Sequence, residues 1–238
     1  MGKDKAHIIY RNSQGIRVPG VTTITGELGW NTQVLVNWSN RIGLEGIEVG
    51  KYVDDKADIG TLGHSMITDK LEGKKTDTDD YSKNQIEAAK NSVKSFEAWA
   101  RDKKIEPILI EVPLVSNIHN FGGTLDIYAK VNKSLELIDL KTGKGIYDEH
   151  LIQVGGGYVI LLEEHEKPFD RVRILNIPRT NSERFYEEDN INIPICKNIF
   201  LNCLENHLYK KQLRSDDFYQ FTLQESAKWQ IKKTYTKS

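Results

Sequence analysis

The stretch LELIDLKTGKGIYDEHLIQ, from Leu135 to Gln153, joins an apolar strand to a helix and carries an acid and a base at the end of the strand. Buried strands seldom contain unpaired charges. Asp139 and Lys141 are two residues apart, so their side chains project from the same face of a strand. The two groups therefore either neutralise one another as an ion pair or are held together for chemistry.

Two preceding runs extend this strand into a sheet. They are EPILIEVPLVS (106–116) and FGGTLDIYAKV (121–131), which short connections join to SLELIDLK (134–141). This arrangement predicts an antiparallel meander. Downstream we predict a helix from about Tyr147 to Glu164, a strand over Arg171–Pro178 and a long helix over Pro194–Lys211.

In the part of the chain before the meander, apolar residues recur mainly at helical spacing. A small hairpin that turns at Ser13–Gly15 is predicted for residues 7–20, and helical spacing of apolar residues predicts three helices, at about Thr32–Ile47, Tyr52–Leu71 and Ser82–Arg101. We therefore predict an α/β fold in one domain spanning 1–238, with a small mixed sheet flanked by helices. Its parts are a mainly helical part (1–105), an α/β core (106–211) and a C-terminal tail (212–238).

Composition limits the possible classes of function. The 238 residues are 38% hydrophobic and 28% charged, as is usual for a soluble globular protein, and the net charge is −1. A polyanionic partner would therefore need a local basic surface, and the last 33 residues, with seven Lys/Arg against three Asp/Glu, are either such a surface or a solvated tail. The absence of a signal peptide or a membrane-length apolar run predicts a cytoplasmic protein with no membrane partner.

Asp126 lies on the strand before the one that carries Asp139, so an antiparallel pair can direct both acids at one point. Two carboxylates in a low-dielectric site repel one another, and this is stable only if one is protonated or a divalent cation lies between them. Mg²⁺ binds a few carboxylate oxygens and leaves positions for water and phosphate, and Lys141 could then align the attacking water. The sequence thus permits metal-assisted phosphodiester hydrolysis, with a simple ion pair as the alternative.

The order of these motifs resembles the PD-(D/E)XK nuclease superfamily. IDLK, with Asp139 and Lys141, follows Asp126 after 12 residues. GTLD (123–126) and IDLKTGK resemble motifs of the RecB-like branch, GTLGH (60–64) resembles the motif that supplies a histidine ligand from a helix, and HLIQVGGGY places Gln153 as in the branch's Q-x-x-x-Y motif. VPGVTTITG is similar to phage and CRISPR-associated members, and the resemblance covers about residues 7–180.

The resemblance implies a restriction-endonuclease-like core and a Mg²⁺- or Mn²⁺-dependent deoxyribonuclease. It implies an exonuclease that digests DNA from its ends in recombination, repair or phage DNA processing, in the cytoplasm of a bacterium or a phage-infected host, with a recombination or replication protein as a further possible partner. It also assigns the site residues. The metal ligands would be His64, Asp126, Asp139 and the Leu140 carbonyl, and Asp126, Asp139, Lys141, Gln153 and Tyr158 would form the catalytic group.

Three departures from the pattern bear on these roles. Thr68 stands where the family often has an acid four residues after the histidine. Tyr158 follows Gln153 by five residues instead of four, which would place it about 100° too far round an α-helix unless the run Gly155–Gly157 distorts that helix. The four cysteines of some relatives are missing, since only Cys196 and Cys203 occur, so no iron–sulfur cluster is expected.

Two other functions remain open at this point. The chain could be a catalytically inactive nuclease fold that binds DNA or serves as a structural subunit, or an endonuclease that cuts within duplexes or at branched structures. Glu111 is also open, since it is either an acid near the metal, an additional ligand, part of a salt bridge or a residue on an exposed strand face.

Overall fold

All five strands belong to one mixed sheet. The computed structural model describes residues 8–213, so the predicted tail at 212–238 lies outside the described residues from 214 onward. The first three strands form an antiparallel meander, the fourth runs parallel to the third, and the fifth is antiparallel to the fourth. In spatial and chain order alike, they are Ile105–Ser116 (β1), Phe121–Val131 (β2), Ser134–Lys141 (β3), Arg171–Asn176 (β4) and Tyr186–Glu188 (β5). The predicted meander and mixed sheet are confirmed, whereas β5 was not predicted.

The helices lie mainly before the sheet and after its third strand. They are Val21–Thr25 (α1), Thr32–Leu44 (α2), Val49–Leu71 (α3), Lys83–Ala100 (α4), Asp148–Ile152 (α5), Val159–Glu164 (α6) and Ile193–Gln212 (α7). A 3₁₀ turn at Gly26–Leu28 follows α1. The helical N-terminal part and the α/β fold class are confirmed. Within residues 8–213, no helix has both the length and the apolar character needed to cross a bilayer.

The sheet separates two apolar layers. On one face, Phe121, Leu137 and Ile174 pack with α1, α6 and α7. On the other face, Ile127 and Ile138 pack with α3 and α4. Leu137 and Ile138 enter different layers because successive side chains of a strand point to opposite faces. Burial on both faces explains the apolar residues of β3, and its one acid before Asp139, the buried Glu136, pairs with Arg173 of β4.

The predicted helix at Tyr147–Glu164 is interrupted by a π-helical turn, Gln153–Tyr158, between α5 and α6. The glycine run in this turn admits α7 at close range. A Cβ on Gly156 would lie 2.7 Å from the carbonyl oxygen of Cys196 and 2.8 Å from the Cβ of Phe200. These glycines therefore let the backbone of α7 approach the turn closely.

Candidate functional site

The site begins where β2 and β3 separate. Their last cross-strand pair is Ile127 with Ile138, and Asp126 and Asp139 follow immediately on the two strands. In place of a further backbone bond, the Asp126 carboxylate Oδ2 accepts the Leu140 backbone N–H at 2.7 Å. This bond uses one oxygen of Asp126 to close the ladder and fixes the carboxylate beside β3.

The Leu140 carbonyl is directed towards the same place. Carbonyls of successive residues along a strand alternate between its two neighbours. The Lys141 carbonyl accepts the Ile177 N–H on the β4 side at 2.8 Å, so the Leu140 carbonyl points to the β2 side, where the ladder has ended. There it lies near the His64 ring.

Helix α3 brings His64 to this point. The His64 Nδ1 lies 3.5 Å from the Asp126 Oδ2, and the imidazole is about three-quarters covered. Gly60, in the GTLGH motif, allows the approach, because a Cβ there would lie 2.7 Å from the Thr142 hydroxyl just beyond β3. The predicted histidine and the predicted Asp126 therefore meet, one from a helix and the other from a strand.

Glu111 joins them from β1. Ile110 pairs with Ile127 and Val112 with Leu125, so Glu111 lies opposite Asp126 in the register. Possible ligand atoms of Glu111, His64 and Asp126 all lie within 4.8 Å of one another. Together with Asp139, which is next in register on β3, the chain thus places three carboxylates in one row across β1, β2 and β3. The sequence left the role of Glu111 open because the register of β1 could not be derived from it.

Asp139 and Lys141 form a close ion pair at the same edge. The Lys141 Nζ lies 2.7 Å from the Asp139 Oδ2, and the Asp139 side chain is 2% exposed. The contact is short, but Oδ2 still lacks a hydrogen-bond partner of adequate geometry among the described residues. The ion-pair interpretation and the catalytic interpretation of this dipeptide are therefore both compatible with the contact.

The acids and the histidine perturb one another's protonation. Burial, then the charge of Lys141, lowers the pKa of His64 to about 4, so the imidazole is neutral at neutral pH. Burial raises the pKa of Asp139 to about 6 despite the Lys141 ammonium, and Asp126 adds to the rise. Burial also raises the pKa of Asp126. For Glu111, burial first and then Asp126 and Asp139 raise the pKa to about 7.

Gln153 and Tyr158 meet in spite of their five-residue spacing. In a π-helical turn, residues five apart lie on the same side of the helix, as residues four apart do in an α-helix. The Gln153 side-chain amide accordingly donates a hydrogen bond to the Tyr158 hydroxyl at 2.8 Å. The displacement of Tyr158 expected for a regular α-helix is therefore absent. Burial, followed by the charges of Asp139 and Asp126, raises the pKa of Tyr158 well above its usual range.

His150, near Lys141, was not among the site residues predicted from the sequence. Its Nδ1 accepts the Tyr147 backbone N–H at 3.2 Å at the start of α5. Burial and then the charge of Lys141 lower its pKa to about 4. Its position three residues before Gln153, near the start of a helix that follows β3, was the only available sign in the sequence.

These donors fit a hard divalent cation. Carboxylate oxygens, a backbone carbonyl and a neutral imidazole converge, and metal ligands must be deprotonated or neutral in this way. The three carboxylates carry more negative charge than the single Lys141 ammonium beside Asp139 can compensate. A cation held by His64, Asp126, Asp139 and Leu140 would supply that compensation.

The comparisons with known proteins add little to this geometry. No family model and no curated protein matches the chain. Among solved structures, the chain is similar to the crystal structure of SSO0001, with 14% sequence identity, coverage of 67% of this chain and 74% of that chain, and a TM-score of 0.35. A likeness this distant does not identify a family.

Proposed function

We propose that this protein is a Mg²⁺- or Mn²⁺-dependent deoxyribonuclease of the PD-(D/E)XK type, an exonuclease that hydrolyses phosphodiester bonds from DNA ends. The observation that carries the proposal is the meeting of His64, Asp126 and the Asp139–Lys141 pair at the point where β2 and β3 separate. A structural ion pair needs only one acid and one base. It does not need the further acid and the histidine.

Each side chain has a distinct part in this proposal. A bound divalent ion would polarise the scissile phosphate and lower the pKa of an attacking water. Asp126 and Asp139 supply the carboxylates that hold it, and the Lys141 ammonium, 2.7 Å from the Asp139 Oδ2, orients the water and stabilises charge that develops on the phosphate. Because Tyr158 accepts a hydrogen bond from Gln153, its own proton is free for a phosphate oxygen or an acid.

The helical N-terminal part would limit which DNA can enter. Asn31, at the start of α2, hydrogen-bonds Glu149 on α5, so α2 is tied to the element that follows the catalytic strand. DNA with an accessible end is the proposed substrate, in recombination, repair or phage DNA processing, with a recombination or replication protein as a further partner. The proposed setting is the cytoplasm of a bacterium or a phage-infected host.

Cleavage assays with Lys141→Ala test the mechanism. Loss of the ammonium should lower metal-dependent cleavage of end-labelled DNA by about 100-fold or more, because one electrostatic stabiliser of the transition state is removed. Binding of DNA, measured by fluorescence anisotropy, should be largely unchanged. Lys133→Ala, an exposed lysine at the opposite end of β3, is the matched control and should cleave normally. Undiminished cleavage by Lys141→Ala would refute the mechanism.

The substrates in the same assay separate the alternatives. End-labelled single- and double-stranded DNA and closed circular DNA should be compared with and without Mg²⁺ or Mn²⁺. A strict exonuclease leaves the circle intact, whereas cleavage of the circle identifies an endonuclease. An inactive nuclease fold would cleave none of them, and calorimetric titration would then show no Mn²⁺ uptake that Asp126→Asn abolishes.

A further inference from the structure

Glu111 has an unusual backbone conformation for its position. Four non-glycine residues among 8–213 have positive φ angles, and they are Glu111 (50°), Asn120 (57°), Asn132 (57°) and Glu166 (53°). Asparagine tolerates the left-handed region, and both asparagines lie in connections between strands. Glu166 lies just after the end of α6. Glu111 alone of the four lies inside a strand, where glycine would be the favourable residue.

Among the described residues, no hydrogen bond or ion pair of Glu111 accounts for its strained conformation. Within residues 8–213, Glu111 forms no ion pair, and it is exposed on the open side of the site. The described residues therefore offer Glu111 no salt bridge, and its exposure agrees with the alternative of an exposed strand face. What the conformation does achieve is to keep the Glu111 carboxylate within 4.8 Å of ligand atoms of His64 and Asp126.

Placing a third carboxylate in this row adds to an existing charge imbalance. Like charges opposite one another destabilise a sheet. Asp126 and Asp139 directly follow the last paired residues of β2 and β3, and the Lys141 ammonium, 2.7 Å from the Asp139 Oδ2, balances only one negative charge of the three. A cation bound at this point would offset both the backbone strain of Glu111 and the repulsion that its carboxylate adds.

We propose that Glu111 is itself a ligand of the divalent cation. Its carboxylate would act together with His64 and Asp126, whose possible ligand atoms lie within 4.8 Å of it. The cation is of the Mn²⁺ or Mg²⁺ class, because the donors are carboxylates with one imidazole. This inference rests on the proposed function, since it adds a residue to the same metal site.

Calorimetric titration of metal-free protein with Mn²⁺ tests the assignment without any measurement of activity. Glu111→Gln should weaken Mn²⁺ binding by about tenfold or more, because loss of even an indirect partner of a metal site typically has that effect. Glu106→Gln is the matched control, since Glu106 lies on the same strand, is half-exposed and pairs with Lys104. That control should bind Mn²⁺ as the unaltered protein does, and Asp126→Asn should lose binding.

The outcomes distinguish this inference from the proposed function. If Glu111→Gln binds Mn²⁺ as tightly as the unaltered protein while Asp126→Asn does not, the role of Glu111 is overturned and the metal site stands. If the unaltered protein takes up no Mn²⁺, both fail. Glu111→Gly supplies a second readout, because glycine relieves the strained φ. This variant should unfold at a higher temperature than the unaltered protein in EDTA and gain less from Mn²⁺, and an equal gain would overturn the assignment.

Discussion

At the scale of single residues, Asp126 connects the parts of the site. Its carboxylate accepts the Leu140 N–H, lies 3.5 Å from the His64 Nδ1 and is opposite Glu111 in the register. Each of the three acids is unfavourable to the sheet when it is charged and lacks a cation. Their presence together is therefore better explained by binding than by stability.

Binding of Mn²⁺ should weaken as pH falls through about 7 to 6, because protons then compete for the carboxylates. The raised pKa of Asp139, about 6, and that of Glu111, about 7, define this window. Because Glu111 is exposed, water screens its charge, and the pKa of Asp139 is therefore the better guide to the pH at which binding weakens. His64, with a pKa lowered to about 4, stays neutral throughout. Titration calorimetry in two buffers of different ionisation enthalpy counts the protons released. A loss of affinity confined to the region below about pH 5 would contradict this order of protonation.

At the scale of elements, the π-turn depends on its contact with α7. Gly156→Ala should destabilise the protein by about 1–3 kcal/mol, since the added Cβ meets backbone that cannot move alone. The Cβ would lie 2.7 Å from the Cys196 carbonyl oxygen. Gly43→Ala is the matched control, because nothing lies within 4 Å of a Cβ there on the exposed α2. This control should gain about 0.5–1 kcal/mol. Thermal unfolding followed by circular dichroism measures both, and equal melting temperatures would refute the packing argument.

The same elements explain how far the sequence predicts this fold. The bounds of β2 and β3 follow from the sequence because apolar runs flank a two-residue turn, and α4 is defined by a capping box between Ser82 and Gln85. The π-turn does not follow, since its geometry is set by contacts with α7, about 40 residues away in the chain. The strand β5, Tyr186–Glu188, lacks apolar alternation and forms only by pairing with β4.

The site was predicted to a similar degree. His64, Asp126, Asp139 and Lys141 were named from motif order, and in the structure His64 contacts Asp126 while Lys141 pairs with Asp139. The role of Glu111 depends on the register of β1 and on a left-handed backbone angle. Neither property is encoded in a local pattern of residue types, so both required the structure.

At the scale of the whole molecule, a bound cation would tie α3 to the sheet. His64 comes from a helix packed on one face, whereas Asp126 and Asp139 belong to two strands. Mn²⁺ at about one hundred times its dissociation constant should therefore stabilise the fold by about 2.7 kcal/mol. The melting temperature should rise by roughly 5–10 °C relative to protein in EDTA. Asp126→Asn should show no such rise, and an equal rise in that variant would mean that the ion binds elsewhere.

The wide turn between Gln153 and Tyr158 has a consequence for how distant relatives are recognised. Against the motif of the proposed nuclease family, one residue more stands between Gln153 and Tyr158, and the π-helical turn accommodates it so that the two side chains still form a hydrogen bond. A search that fixes three intervening residues would reject this chain and any other with the same insertion. Aligning such sequences with a gap allowed after the glutamine, wherever glycines follow it, would recover homologues that a rigid spacing discards.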